Sequence, residues 1–412
     1  MYYSSIQQFL DMITYWISFC CLLIVCFIIR FQLQTNENKS CFTKHYNYFI
    51  DKMPPLKVFM HNLTLPMQEL LLHNQYLKGI KQGLAHTAIF EYIAFKSLKR
   101  YEFNVKDPEK ADLFYVPLFA ALFNGLKDYA NIDTIIIPQL RAYGKYFDRY
   151  NGVDYAFIQM LFSQNNIPIT VHHQKTLASM ITLGDLNYNY SKYQMRESWR
   201  NVNFPLTSNI AQHFEIKPES SRHISTFFIG QINLTDFDTV AAPIRTGMAS
   251  VMRNIPHSIV IDARRYDPIT GVYSYNFSRM MSNSKFCCVP HGDGPTTKRL
   301  FDTFRTLCIP IVLSDEIKFP FEDLFINYRQ ILIQIPAFEP DRIPIAMSIP
   351  SAKRKLNMKK NMIRVSRLLE QKFDYNIEKG DLMWGWLWVH YFKLATVAAS
   401  KRRTLLQSKY LD

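Results

Sequence analysis

The stretch SKFCCVPHGDGPTTKRLFDTFRTLCIPIVLSDE, Ser284 to Glu316, decides the fold. Its opening SKFCCVP reads as a buried strand. The turn-rich HGDGP follows, then a helical segment, then a second apolar strand, CIPIVL. Strand, loop, helix, strand is the unit from which parallel sheets are wound. Thr296 or Thr297 can cap the helix. Leu300, Phe304 and Leu307 recur at i, i+4, i+7 and form one face for packing on the sheet. Lys298 and Arg299 fall outside that face, free to point along a cleft. They stand at the positive end of the helix dipole, where each cation is disfavoured by about 0.3–1 kcal/mol. An anion bound there offsets that cost. The helix start and the preceding Gly292 and Gly294 make a cradle for a diphosphate. Asp302, one turn further, is placed to accept a ribose hydroxyl.

The same alternation extends outward. LKVFMHNL (56–63) reads as a strand, and 86–101 as a helix carrying Ile89, Phe90, Ile93 and Leu98 inward. DLFYVPL (112–118) is a strand, Asp154 to Ser163 is helical in pattern, and IPITVHH (167–173) is a short strand. In the second half, 222–232, 257–265 and 329–336 read as strands, and 242–255 as a helix. Two such blocks, split near 205–220, predict an α/β protein of two Rossmann-like domains facing a cleft, 56–210 and 211–370. A helical segment, 371–412, follows. Running into it, 351–373 is a basic helix with Leu356, Ile363, Leu368 and Leu369 expected inward. Its outer face is either solvated or a surface for an acidic glycan or lipid headgroup.

The chain has 412 residues, 48% of them hydrophobic, which suits packed domains and excludes disorder as the default. A net charge of +14 favours anionic partners. No nucleic-acid-binding module is recognisable, so that class is set aside. Ile13 to Ile29 is uncharged and apolar, too long for a signal-peptide core, with no small-residue cleavage site after it. It reads as an uncleaved anchor within 13–33, between a short tail (1–12) and a polar stem (34–55). Arg30, Lys39 and Lys44 after the span favour a cytosolic body under the positive-inside rule. Sequons at Asn38, Asn62, Asn189, Asn233 and Asn276 favour a lumenal one. Cys20, Cys21 and Cys26 lie in the apolar run. Cys41, Cys287, Cys288 and Cys308 remain for the body, at no zinc-binding spacing and with at most one bridge.

Three segments carry a resemblance. The 284–324 stretch is similar to the donor-binding signature of the exostosin-like glycosyltransferases, family 47. DPEKADLFYVP (107–117) resembles their upstream signature, and STFFIG with Arg245 in IRTGM resembles the strand and helix between. The resemblance implies a GT-B fold, an inverting transfer from a nucleotide sugar to a glycan, no cofactor, no metal, and a type II Golgi membrane protein with a lumenal body. It also implies that Gly292, Arg299, Asp302, Cys287, Cys308, Pro310, Glu91 and Arg245 stand on motif positions. The sequence departs from the pattern at Ile229, His291, Leu307 and Tyr155, where arginine, arginine, glycine and histidine are usual.

Such a transfer needs cations for the leaving diphosphate and a base for the acceptor hydroxyl. Arg245, Lys298, Arg299 and the helix start meet the first need. Glu91, Asp154 and His61 are candidates for the second. The DFD at 236–238 mimics a metal-binding motif of another fold and is read as coincidence. The expected partners are a nucleotide sugar, a glycan acceptor, a membrane and other glycosyltransferase subunits. The motif departures keep an alternative open, an inactive partner subunit of a glycosyltransferase complex.

Overall fold

The computed structural model describes residues 40–63, 89–117, 132–144, 146–149, 154–159, 179–182, 202–203, 205–206, 208, 210, 217–232, 240–262, 277–292, 295–322, 324–370 and 375–392. The strands form two parallel sheets. The first holds β1 (Val58–Met60), β2 (Asn104–Val105), β3 (Leu113–Val116), β4 (Tyr155–Gln159), β5 (Ser179–Thr182) and β6 (Val202–Asn203), in the order β2-β1-β3-β4-β5-β6. The second holds β7 (Ile224–Gly230), β8 (Ile259–Asp262), β9 (Ser284–Pro290), β10 (Ile309–Leu313) and β11 (Ile333–Ile335), in the order β11-β10-β9-β7-β8. Each sheet reverses its winding beside its first strand, between β1 and β3 and between β7 and β9. In doubly wound sheets that reversal opens a crevice at the carboxyl ends of the two strands.

Burial explains why these segments are strands. β3 and β10 are buried at every position, the pattern of a sheet covered on both faces. Helix α1 (Lys44–Lys52) precedes β1, and α2 (Ile89–Arg100) leads into β2. The end of α2 lies at the amino end of β1, since Asn104 N–H donates to Tyr101 and Val58 N–H to Phe103. Its first turn, with Glu91, therefore sits toward the carboxyl side of the first sheet. Helices α3 (Ile132–Ala142) and α4 (Tyr146–Arg149) follow β3. In the second sheet, α5 (Ala241–Arg253) joins β7 to β8, α6 (Phe277–Ser282) precedes β9, and α7 (Lys298–Thr306) joins β9 to β10. Helices α8 (Ile343–Ser348) and α9 (Ala352–Leu369) follow β11, and α10 covers 382–392.

One core runs through both halves. Leu56, just before β1, and Val58 and Tyr115 of the first sheet share it with Leu300, Phe301 and Phe304 of α7, with Val365 and Leu368 of α9, and with Trp386 and Leu387 of α10. Helix α10 returns to the first sheet, where the Trp386 ring meets Tyr115 edge-on at 6.4 Å.

Several expectations are corrected. Residues 155–159 form β4 where the sequence pattern suggested a helix. YAFIQ lies between two parallel neighbours, and a short apolar run in a covered sheet has no period to read. The segment expected as a polar stem is partly built into the body. Cys41 is fully buried, Asn327 N–H donates to its carbonyl at 2.7 Å, and Thr43 N–H donates to Phe325 at 3.0 Å. On α9, Leu368 and Leu369 face inward as expected, but Leu356 and Ile363 face outward. The strand expected at 167–173, the anchor at 13–33, Asn38, Asn189, Asn233, Asn276 and Gly294 lie outside the described residues. Among the described residues, no helix is long and apolar enough to cross a membrane.

Candidate active site

The crevice between β7 and β9 gathers most of the residues singled out in the sequence. Strand β7 ends at Gly230 and β9 ends at Pro290. Arg245, in the second turn of α5, spans the two ends. Its Nε donates to the His291 carbonyl at 2.9 Å and its Nη1 to the Gln231 carbonyl at 3.0 Å. It is buried, so its charge lies at the floor of the crevice. His291 continues the edge of the sheet, donating its N–H to Leu313 at 3.0 Å, with Nδ1 3.0 Å from the Gly292 carbonyl.

Helix α7 starts above this floor. Thr297 is its cap, in extended conformation, with its side chain accepting from Arg299 N–H at 3.4 Å. The neighbouring Thr296 is buried, and its Oγ1 has no hydrogen-bond partner among the described residues. A buried hydroxyl left this way costs about 1–3 kcal/mol. A ligand atom at the helix start would satisfy it. Burial pushes the Lys298 ammonium below its usual range, against the pull of Asp302 in the other direction. An anion beside Lys298 would favour its charged form and oppose the effect of burial.

Arg299 departs from the expected placement. Its guanidinium stacks 4.4 Å over the Phe228 ring and donates through Nη2 to the Ile229 carbonyl. It crosses the end of β7 instead of pointing freely along a cleft. Gly230 permits this, because a Cβ there would stand 2.8 Å from Arg299 Nη2. Asp302 is also held: it is buried, and its Oδ1 accepts from Ser208 Oγ at 2.6 Å, in the segment joining the two sheets. Ile229 was noted in the sequence only as a departure from the family pattern, and Phe228, Gly230, Gln231 and Ser208 are the site neighbours that sequence reasoning missed. Only Gly230 had a signal, as the glycine closing an apolar strand.

The three base candidates separate. His61 leaves the carboxyl end of β1, its N–H donating to Tyr115 at 2.9 Å. Its ring is buried among Phe59, Phe114, Tyr143 and Tyr155, with neither ring nitrogen partnered. Burial lowers its pKa to about 4, so the imidazole is neutral near neutral pH. Glu91 is buried in the first turn of α2, toward the same side. Asp154 precedes β4, where its carbonyl accepts from Phe114 N–H at 2.8 Å. That is the amino end of a parallel sheet, opposite the end where such sheets bind ligands. Tyr155 stacks on Phe114 at 4.8 Å and belongs to the core. A separate cavity of about 910 Å³ opens beside β11, lined by Asp315, Asn327, Gln334 and Arg354 among others, and no residue of the crevice described above lines it.

Two doubly wound sheets, one with a cationic, helix-capped crevice at its reversal, define an α/β protein of parallel sheets. The Exostosin GT47 domain matches residues 52–352, and the chain belongs to that family of glycosyltransferases. "Probable arabinosyltransferase ARAD1" of Arabidopsis thaliana is 25% identical over 396 residues, covering 86% of this chain and 82% of that protein. "Probable glucuronosyltransferase GUT1" of Oryza sativa subsp. japonica is 24% identical, covering 73% and 72%. "Probable beta-1,4-xylosyltransferase IRX10" of Arabidopsis thaliana is 22% identical, covering 73% of each. Among solved structures, an alpha1,3-fucosyltransferase with GDP is similar at a TM-score of 0.34 and 13% identity, covering 84% of this chain and 91% of that one.

Proposed function

We propose that the protein is an inverting glycosyltransferase of the GT-B type that moves a sugar from a UDP-sugar to a polysaccharide or glycan acceptor in the Golgi lumen. The crevice between β7 and β9 carries the reading. Arg245 lies on its floor, and the unpartnered Thr296 hydroxyl, Lys298 and the N–H groups of α7 stand at its rim. These groups suit the charge that develops on a departing diphosphate. Arg299 and Asp302 hold the rim in place, one on β7 and the other on the segment between the sheets.

The acceptor then approaches from the first sheet. Its hydroxyl gives up a proton to a group on the carboxyl side of that sheet, where Glu91 and His61 stand. Attack at the anomeric carbon from the face opposite the diphosphate forms the new glycosidic bond with inversion. The bond to the diphosphate breaks, and its electron pair leaves with UDP. The apolar run at 13–29 supports a type II membrane anchor. The sequons, together with a bridge between Cys287 and Cys308, support a lumenal, oxidising environment.

The test uses full-length protein in detergent with a panel of UDP-sugars and plant polysaccharide acceptors. Release of UDP, with a β-linked product from an α-linked donor, is expected. Glu91→Gln and His61→Gln identify the base: the variant that loses kcat while binding UDP normally carried the proton. A protein that binds UDP, turns over no donor and co-purifies with an active relative would replace this reading with that of a partner subunit.

A further inference from the structure

All five large apolar side chains that stand exposed among the described residues lie within one segment: Phe338 (62% exposed), Ile345 (61%), Ile349 (46%), Leu356 (43%) and Ile363 (47%). Two of them sit on the outward face of α9. At 100° per residue, Lys353, Leu356, Lys360, Ile363, Arg364 and Arg367 fall in a single stripe about 100° wide. The stripe runs about 21 Å along the helix. The helix has no acidic residue. Arg367 is paired with Glu378 at 2.8 Å, while Lys353, Lys360 and Arg364 form no ion pair among the described residues. The opposite face packs into the core through Met358, Met362, Val365, Leu368 and Leu369, so the stripe is not a buried surface turned outward by loose packing.

The position of the stripe matters as much as its composition. The chain enters the described body at residue 40, beside this helix. Cys41 Sγ lies 3.8 Å from the carbonyl of Asn361, in the middle of α9. Cys41 stands only twelve positions after Ile29, the end of the apolar run. Twelve residues span at most about 40 Å. An anchor at 13–29 therefore holds α9 near the bilayer that contains it.

We propose that the outward face of α9 docks on the membrane surface and takes anionic phospholipid headgroups. The cations meet headgroup phosphates, and Leu356 and Ile363 enter the boundary of the acyl region. The contact fixes how the body stands on its membrane. The proposal draws on the anchor reading above, and the experiment separates the two. An acidic glycan would satisfy the cations but not the exposed apolar side chains, so the lipid surface is the occupant the face fits.

The full-length protein is placed in detergent, in phosphatidylcholine vesicles, and in phosphatidylcholine vesicles with about one-quarter phosphatidylserine. Acetylation of individual lysines by a water-soluble reagent is followed by mass spectrometry. Lys353 and Lys360 should react at least about fivefold more slowly in the anionic vesicles than in detergent. Exposed Lys57, just before β1, and Lys110, in the turn before β3, should keep their rates. Leu356→Ser with Ile363→Ser, both at exposed positions, should abolish the protection. Alkaline carbonate extraction reads the anchor separately, since an anchored chain stays with the lipid whatever α9 does. Equal rates at Lys353 and Lys360 in all three states overturn the docking face, whether or not the anchor holds. Equal protection by soluble polygalacturonate, insensitive to the double serine change, also overturns it and assigns the face to an acidic glycan.

Discussion

At the scale of single residues, Gly230 and Arg299 act as a pair. The guanidinium covers the end of β7 only because position 230 has no Cβ. A methyl group there would meet Arg299 Nη2 at 2.8 Å and Phe228 Cζ at 3.3 Å. Gly230→Ala should therefore push the guanidinium off its carbonyl and its ring while leaving the charge in the protein. Arg299→Ala removes the same contacts, at about 1–3 kcal/mol for the orphaned carbonyl and the lost stacking. Each single variant should lower the melting temperature and weaken UDP binding roughly tenfold. The double variant should be little worse than either, because both remove one interaction. Calorimetric titration of UDP with thermal melts completes the cycle, and strictly additive losses would separate the two residues.

His61 gives a pH dependence with a definite sign. Its pKa is about 4 in the folded chain and 6.5 unfolded. The unfolded chain takes up the proton first as pH falls. Stability is full above pH 6.5 and is lost as pH drops toward 4, by roughly 3 kcal/mol in total. His61→Asn removes the titrating group, so its stability should stay flatter over that window in denaturant titrations. A wild-type curve no steeper than that of the variant would place His61 in a more polar setting than its aromatic shell indicates.

At the scale of elements, the readable parts of the sequence were those with a period or a punctuation mark. The 284–316 stretch gave β9, α7 and β10 nearly as observed, since a turn-rich loop and a threonine cap bound the helix. The i, i+4, i+7 face of Leu300, Phe304 and Leu307 is buried as expected. β4 was misread because Tyr155 to Ile158, all buried, show no alternation. The outward turn of Leu356 and Ile363 was also invisible, because an apolar residue on a helix is assumed to face the core. Side-chain destinations such as Arg299 on Ile229 depend on a strand 70 residues away, and no local pattern records that. The disulfide between Cys287 in β9 and Cys308 before β10 joins neighbouring parallel strands across the crossover that contains α7. Closing a loop over a separation of 21 residues stabilises by about 3 kcal/mol in the chain-entropy account. Cys287→Ala with Cys308→Ala should lower the melting temperature by several degrees in non-reducing buffer. Reductant should then have no further effect on the variant while still lowering the melting temperature of the parent.

At the scale of the whole molecule, the two sheets are joined by shared burial as well as by the 205–210 segment. Helix α7 brings Phe301 and Phe304 into the core that also contains Tyr115 of the first sheet, and α10 reaches the same core with Trp386. Gly385 lets α10 approach α9 closely, since a Cβ at that position would stand 2.5 Å from Leu368 Cδ1. Trp386 is 1% exposed and meets Tyr115 of β3. It thus ties the C-terminal helix to the half of the molecule that the chain left some two hundred residues earlier. Truncating a buried tryptophan costs about 3–5 kcal/mol. Because the core is continuous, the parent should melt as one transition in scanning calorimetry. Trp386→Ala should split that transition, with the first sheet melting earlier and the second near its original temperature. UDP should raise only the later transition of the variant, because the crevice proposed to bind it lies between β7 and β9, entirely in the second sheet. If a single sharp transition persists and moves as a unit with UDP, then α7 and the linking segment alone couple the halves, and α10 contributes only its own packing.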